Sequence, residues 1–210
     1  MPVTAIYHIT HVENLPRILE TNGLWCDAER VSQGFVSVGI AHAELKRRRA
    51  DHPVPVAAGG TLGDYVPFYF SNRSPMLYSI HRGNVAGYSG DQSEVVYLVS
   101  SVERVTNGGR SWCFTDGHAV MDLSVFYETI SDLVKVDWDL MKSWKWSDTD
   151  DDPDRKRRKQ AEFLVHGSFP WSWIEHLGVI DEAMATKVRR MVSEAKHQPP
   201  VSIQRRWYYD

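Results

Sequence analysis

The chain has 210 residues, enough for one domain with a real core, and its 42% hydrophobic and 24% charged residues match an ordinary globular protein. A formal net charge of −3 excludes the global basic footprint of a general nucleic-acid binder, so phosphate contacts must come from local patches. Two cysteines, Cys26 and Cys113, have no metal-ligand spacing and fit a reduced compartment. The opening residues carry no basic segment followed by an apolar run, and no stretch approaches the roughly 20 apolar residues of a membrane span. A cytoplasmic protein without membrane contact is the expectation.

Residues 4–10, TAIYHIT, alternate and are rich in β-formers, which predicts a strand. It runs into HVENLPRILETNG. There Leu15, Ile18 and Leu19 share one helical face, Pro16 is tolerable only in the first turn, and Gly23 suits a C-cap. Residues 26–40 read as loop, 41–52 as a helix ending in a basic cluster, and 53–64 as loop from their Pro and Gly. YVPFYF, from Tyr65, predicts a strand, SNRSP a turn, and Pro75 the start of a short helix. SEVVYLVS (93–100) is the clearest buried strand, and SWCFTD (111–116) predicts another. Leu123, Phe126, Ile130 and Leu133 recur at helical spacing across 121–136.

The sharpest break in composition is KSWKWSDTDDDPDRKRRKQ, residues 142–160. Two tryptophans precede an acidic run and then a basic one, which predicts a long exposed loop. Strand pattern returns in AEFLVHG (161–167) and in SWIEHLGVI (172–180). Residues 181–196 predict a helix with Met184, Val188, Met191 and Val192 inward, and 201–209 a final strand. No repeat or linker divides the chain, so residues 1–210 are expected to form a single α+β domain with a mixed sheet.

Several motifs carry little chemistry. GGTLGD is not a dinucleotide fingerprint, and no phosphate loop is present. The histidines of HITH sit three apart on a strand and point to opposite faces, so no metal is expected there. HGSFPWS lacks the turn that presents a hydrolase serine. Glu162 is more informative. With Leu164 it faces one side of a strand whose other face carries Ala161, Phe163 and Val165. A carboxylate there is either a paired structural ion or a catalytic group at a cleft. KRRR (46–49) either is solvated at a helix end or turns one guanidinium inward to hold a diphosphate or ribose. RKRRK (155–159) either flanks the cleft in solvent or tracks phosphates, with the adjacent aspartates neutralising part of its field.

Taken together, IYHITHVENLPRIL, RRR, PVPV, GGTLGDYVPFYFSNRSPMLY and KQAEFLV resemble the DarT family of DNA ADP-ribosyltransferases, in its thymidine-modifying branch. The resemblance runs from near residue 5 to the terminal RRWYY. It implies an ADP-ribosyltransferase-like fold, a split and mostly antiparallel β core with surrounding helices. It implies NAD as co-substrate without a metal, and transfer of ADP-ribose to thymine N3 in single-stranded DNA at a short preferred sequence. It also implies a toxin whose partner is a DarG-type macrodomain antitoxin, in a setting such as antiphage defence.

By position, the resemblance makes Glu162 the catalytic glutamate and Arg49 the catalytic arginine, with Arg47 and Arg48 the neighbours that a shift of register would substitute. It assigns His8, Ile9 and Thr10 to the NAD side, with Arg17 and Trp25 at further NAD positions where residue types differ from the family's. Residues 147–160 correspond to the target-recognition loop. In this setting Tyr69 would wall the nicotinamide pocket, and Arg73, Met76 and His118 would meet DNA. An arginine stays protonated and is a poor base, so Arg49 is expected mainly to orient NAD and polarise the site. The rival readings are the same fold acting on guanine, RNA or protein, and a non-catalytic single-strand-binding module.

Overall fold

The computed structural model describes residues 3–210. Its strands are β1 (Ala5–His11), β2 (Gly23–Trp25), β3 (Tyr65–Tyr69), β4 (Val95–Ser101), β5 (Trp112–Thr115), β6 (Phe126–Tyr127), β7 (Glu162–His166), β8 (Ser168–Pro170), β9 (His176–Val179) and β10 (Val201–Ile203). Helices are α1 (Leu15–Glu20), α2 (Asp27–Ser32), α3 (Ala43–Asp51), α4 (Pro75–His81), α5 (Val102–Asn107), α6 (Trp138–Lys142), α7 (Arg155–Arg158) and α8 (Glu182–Val192). Eight strands form one sheet in the order β10-β9-β4-β1-β3-β7-β5-β6, and β2 pairs with β8 apart from it. Every pairing is antiparallel except β9 with β10. The expected split, mostly antiparallel α+β architecture is therefore present. Among the described residues no helix is long and apolar enough to cross a membrane.

The central strand is the one the sequence marks most clearly. All seven residues of β4 are buried, because both faces of the sheet are covered there. Ile6, Val66, Phe68, Leu98, Phe163 and Val165 pack into the largest core on one face. On the other face Ile9, Tyr97 and Val99 join α4 and the C-terminal tyrosines Tyr208 and Tyr209.

Pro67 explains the split. Strands β1 and β3 meet in register only at Tyr7 and Tyr69. Two residues further on, the register would set Pro67 opposite Ile9, and Pro67 has no N–H to offer. The His8 side chain bonds the Pro67 carbonyl instead, with Nδ1 2.8 Å from the oxygen. The sheet opens at that point.

Some local readings are corrected. Gly23 is not a helix cap: it starts β2 at φ 147°, and a Cβ there would lie 2.2 Å from the Phe169 carbonyl oxygen. Residues 26–40 are not all loop, since α2 lies within them. Residues 121–136 are not a helix but β6 plus a short 3-10 turn over Ile130–Lys135, with Leu123 and Val134 exposed. Within 172–180 only His176–Val179 are strand, and within 201–209 only Val201–Ile203. Residues 147–160 are not a free loop, because α7 and a set of ion pairs fix their second half.

Candidate active site

The geometry of the cleft begins with register. Glu162 opens β7 directly opposite Tyr69 on β3, and Tyr69 lies opposite Tyr7 on β1. Residues directly opposed in antiparallel strands point to the same face, so Glu162 and Tyr69 share one side of the sheet. Phe163 and Val165 point into the core behind them. Helix α3 crosses this face. Its run 46–49 separates by function: Lys46 lies 3.9 Å from Asp27, Arg47 pairs with Glu44, Arg48 Nη2 donates to the Val120 carbonyl over 3.0 Å, and Arg49 turns inward.

Arg49 Nη1 donates to Glu162 Oε2 over 2.7 Å, between side chains 11% and 3% exposed. The Ala119 N–H donates to Glu162 Oε1 over 3.1 Å. Arg49 Nη2 is buried with no partner. A buried, unpaired guanidinium nitrogen is costly unless a ligand completes it. It therefore fits an anionic or carbonyl-bearing substrate group. Burial would lower the Arg49 pKa, but the charge and hydrogen bond of Glu162 outweigh it and hold the guanidinium above its ordinary value.

The sequence-derived residues converge here almost completely. His8, Ile9, Thr10, Arg17, Trp25 and Arg49 line a single cleft. Tyr69, Met76, His118 and Glu162 line the same cleft. Tyr69 OH lies 3.8 Å from Met76 Sδ. Burial, followed by the charge of Glu162, raises the Tyr69 pKa, so its hydroxyl keeps its proton. Burial is also the largest effect on both histidines and pushes both down, so both are neutral at pH 7. The Pro67 carbonyl only accepts, so the His8 proton sits on Nδ1 and leaves Nε2 as an acceptor. Arg17 lies over the Phe35 ring at 5.5 Å, and Trp25 meets the same ring edge-on.

Arg73 is the exception and does not line the cleft. Its guanidinium sits 4.4 Å from the Trp144 ring centroid and 4.3 Å from that of Tyr209. The second basic run also departs from the phosphate-tracking reading. Arg157 is held by Asp154 and Asp116, Arg158 by Asp137 and Asp152, and Lys159 Nζ donates to the carbonyls of Leu140, Met141 and Ser143.

Sequence reasoning missed Asn14 and the segment after α2. Asn14 Oδ1 accepts from Val38 N over 2.8 Å, and its Nδ2 donates to Val38 O and Thr10 Oγ1. This pins residues 35–41 along the cleft, which Phe35, Val36, Ser37 and Val38 line. The available signal was apolar: Val36 and Val38 interrupt a polar loop, and both are exposed. Among the described residues no group of three His, Cys, Asp or Glu is arranged to hold a metal ion. His11 is diverted: its Nδ1 accepts from Glu13 N, and its Nε2 lies 3.6 Å from Glu94.

A split antiparallel sheet with a guanidinium and a carboxylate joined across a cleft, and no glycine-rich dinucleotide turn, defines an ADP-ribosyltransferase-type enzyme. Residues 7–209 match the family described as ssDNA thymidine ADP-ribosyltransferase, DarT. This chain belongs to that family. A DNA ADP-ribosyl transferase of Thermus aquaticus is 38% identical over 208 residues, covering 98% of this chain and 89% of the relative. Thermus sp. 2.9 DarT in complex with ADP-ribosylated ssDNA superposes with TM-score 0.92 at 37% identity, covering 98% of this chain and 96% of that one. The same protein in complex with NAD+ gives 0.89 at 36%, covering 100% and 99%. A DNA ADP-ribosyl transferase-DNA ADP-ribosyl glycohydrolase fusion protein of Thermosipho africanus is 25% identical over 194 residues, covering 90% of this chain and 45% of the fusion.

Proposed function

We propose that this cleft transfers ADP-ribose from NAD to N3 of thymidine in single-stranded DNA at a short preferred sequence. Family membership and the NAD+ and ADP-ribosylated ssDNA complexes of Thermus sp. 2.9 DarT support the substrate pair. The observation that carries the reading is the buried Arg49–Glu162 pair with Arg49 Nη2 left free. The free nitrogen meets NAD, and the Nε2 acceptor of His8 meets a ribose hydroxyl.

As the nicotinamide–ribose bond breaks, its electron pair leaves with nicotinamide and positive charge develops on the ribose. Glu162, oriented from two sides by Arg49 and the Ala119 N–H, stabilises that charge as a fixed dipole array does in a dry cleft. The N3 lone pair of thymine then forms the new bond to the ribose carbon. The N3 proton goes to the Glu162 carboxylate rather than to Arg49, whose raised pKa makes it a poor base. A single-stranded substrate follows, because thymine N3 is engaged in pairing within a duplex.

Residues 1–210 act as one catalytic unit, with residues 147–160 selecting the target and Met76 and His118 meeting the nucleotide. The partner is a macrodomain antitoxin that removes the modification and binds this toxin. The joining of transferase and glycohydrolase in the Thermosipho africanus fusion supports that pairing. The setting is cytoplasmic, where NAD and DNA meet, and the biological role is defence against phage.

The test mixes the protein with NAD and oligonucleotides and weighs the strands by mass spectrometry. One added ADP-ribose on thymidine-containing strands only, lost in Glu162→Ala, is expected. Modification of thymidine-free strands would move the target to another base, and binding without any modification would leave only a single-strand-binding module.

A further inference from the structure

We propose that Lys159 is a positioning residue for the transfer: its ammonium group fastens the ends of β3 and β7 that carry Tyr69 and Glu162 to the end of α6, and so holds the Glu162 carboxylate in place. The inference rests on the reading of Glu162 above and adds the group that fixes its strand. Lys159 is 1% exposed. Its Nζ donates to the carbonyls of Leu140 and Met141 over 3.0 Å each and to that of Ser143 over 2.8 Å. Leu140 and Met141 lie in the last turn of α6, and Ser143 follows it directly. Carbonyls at a helix end lack their full set of partners within the helix, and an ammonium group has three N–H donors, so donors match acceptors one to one.

The Met141 carbonyl is the meeting point. Ser71 Oγ, two residues beyond Tyr69, donates to it over 3.1 Å, and Lys159, three residues before Glu162, donates to it as well. Tyr69 and Glu162 are the last register pair of β3 and β7 at this end. Beyond them, among the described residues, the two segments share one backbone hydrogen bond, Phe70 N to the Ala161 carbonyl, which is long at 3.4 Å. The ladder is failing where Glu162 must be held most firmly, and the end of α6 brackets both segments across the gap.

The bracket is costly, because a buried ammonium with no carboxylate beside it destabilises the fold. From the chain after β3 it meets Arg73, from α7 Arg155, and from α6 the three carbonyls. An apolar side chain would avoid that cost but could not hold three carbonyls. Burial first, then Arg73 and Arg155, push the Lys159 pKa down to about 8. A neutral amine keeps two N–H donors and turns a lone pair toward the third carbonyl, so the bracket loosens when the proton leaves.

kcat, KM for NAD and melting curves of wild type, Lys159→Met and Lys159→Arg, taken across neutral and alkaline pH, test the assignment. At neutral pH Lys159→Met should lower kcat about ten- to a hundredfold, as a small misplacement of a reacting group does, with KM for NAD within about twofold. Lys159→Arg keeps the charge and should recover part of the loss. The ratio of the wild-type rate to that of either variant should fall once pH passes about 8, because only the wild type loses this proton there. Unfolding is not the cause of that fall: with a pKa below the ordinary 10.5, Lys159 makes the folded chain bind fewer protons than the unfolded one between the two values, so its contribution to stability rises with pH there. A ratio that stays constant with pH, or a Lys159→Met kcat equal to that of wild type with only Tm changed, would reduce Lys159 to a helix cap and overturn the proposal. Should Lys159→Met not fold, the ratio to Lys159→Arg decides. Failure of the wild-type protein to modify any strand would instead bring down the reading on which the bracket rests.

Discussion

Residues 46–49 and 155–159 are nearly the same string, four and five consecutive cations, and the molecule uses them in opposite ways. In the first run one of the four cations turns inward, and it keeps a buried nitrogen without a partner. In the second run Arg157 and Arg158 are consumed by aspartates and Lys159 by carbonyl groups. The first run gives one side chain to the cleft, and the second holds a loop beside it. Arg157 bridges Asp154, Asp116 and Ser124, and its carbonyl accepts from His118 N. It thereby fixes the loop that supplies the Ala119 N–H to Glu162. A Cβ on Gly117 would lie 2.3 Å from Arg157 Nη1, so a glycine is needed for that approach. A charge run is read by the partners its fold supplies, not by its own composition.

The largest effect should come from breaking the inward pair. Glu162→Ala and Arg49→Ala should each lower the modification rate by about a thousandfold or more, as loss of transition-state electrostatics does. Arg49→Lys keeps the charge without the planar fork and should fall between. Single-turnover mass spectrometry of the oligonucleotide measures all three. Retained activity in Arg49→Ala would erase the distinction between the two runs. Both Ala variants also strand a buried charge, at a cost of about 3–5 kcal/mol, so folding must be checked by thermal melting.

Next is Arg157→Ala. Loss of its charged hydrogen bonds should cost about 1.5–3 kcal/mol, a fall of roughly 4–10 °C in Tm for a chain of this size. The modification rate should drop about tenfold as the Ala119 loop loosens. The salt dependence of DNA affinity should not change, because a consumed guanidinium contacts no phosphate. A slope that flattens by about 0.7 per removed cation would return the second run to the phosphate-tracking role.

The two runs also meet in a pH effect. Burial lowers the His118 pKa first, Glu162 opposes, and Arg49, Arg48 and Lys156 lower it further; His8 is lowered by burial as well. Each folded-state pKa thus lies below the ordinary 6.5, and between the two values the folded protein binds fewer protons than the unfolded chain. Stability from this source is complete above pH 6.5 and is lost as pH falls through the folded pKa values. Melting curves flat above neutrality that decline below about 6.5 are expected, with activity falling as His8 Nε2 takes a proton. Replacing His118 by Asn should remove part of the acid decline, and an unchanged profile would take that histidine out of the account.

Legibility in the sequence followed the strength of local chemistry. β1, β3, β4 and β7 were readable because β-branched and aromatic runs suit a buried pleat. Short α5 was not assigned, although Ser101 accepts from Arg104 N as its cap. The 121–136 error came from period alone: apolar spacing of three to four holds for Leu123 and Phe126, but Phe126 pairs with Thr115 at the sheet edge. Glu162 and Arg49 are 113 residues apart, a separation no spacing rule can join, so each stayed ambiguous until the blocks were taken together as a family pattern. Arg73 shows the same limit, since its position near Met76 was legible and its two aromatic partners, distant in sequence, were not.

Arg47→Ala should give the smallest effect and is the most direct test of register. Arg47 and Arg49 are two residues apart on α3, roughly 200° around the helix axis, so they face opposite sides. Arg47 is 74% exposed and pairs only with Glu44 one turn back. Such a surface pair is worth about 0.2–1 kcal/mol, so Tm should move by no more than about 1–3 °C and the modification rate by less than twofold. Arg48 cannot replace Arg49 either, because its guanidinium is committed to the Val120 carbonyl. A large loss of rate in Arg47→Ala, with Arg49→Ala active, would mean that the functional guanidinium lies on the solvent side of α3 and that the buried pair with Glu162 is only a structural ion pair.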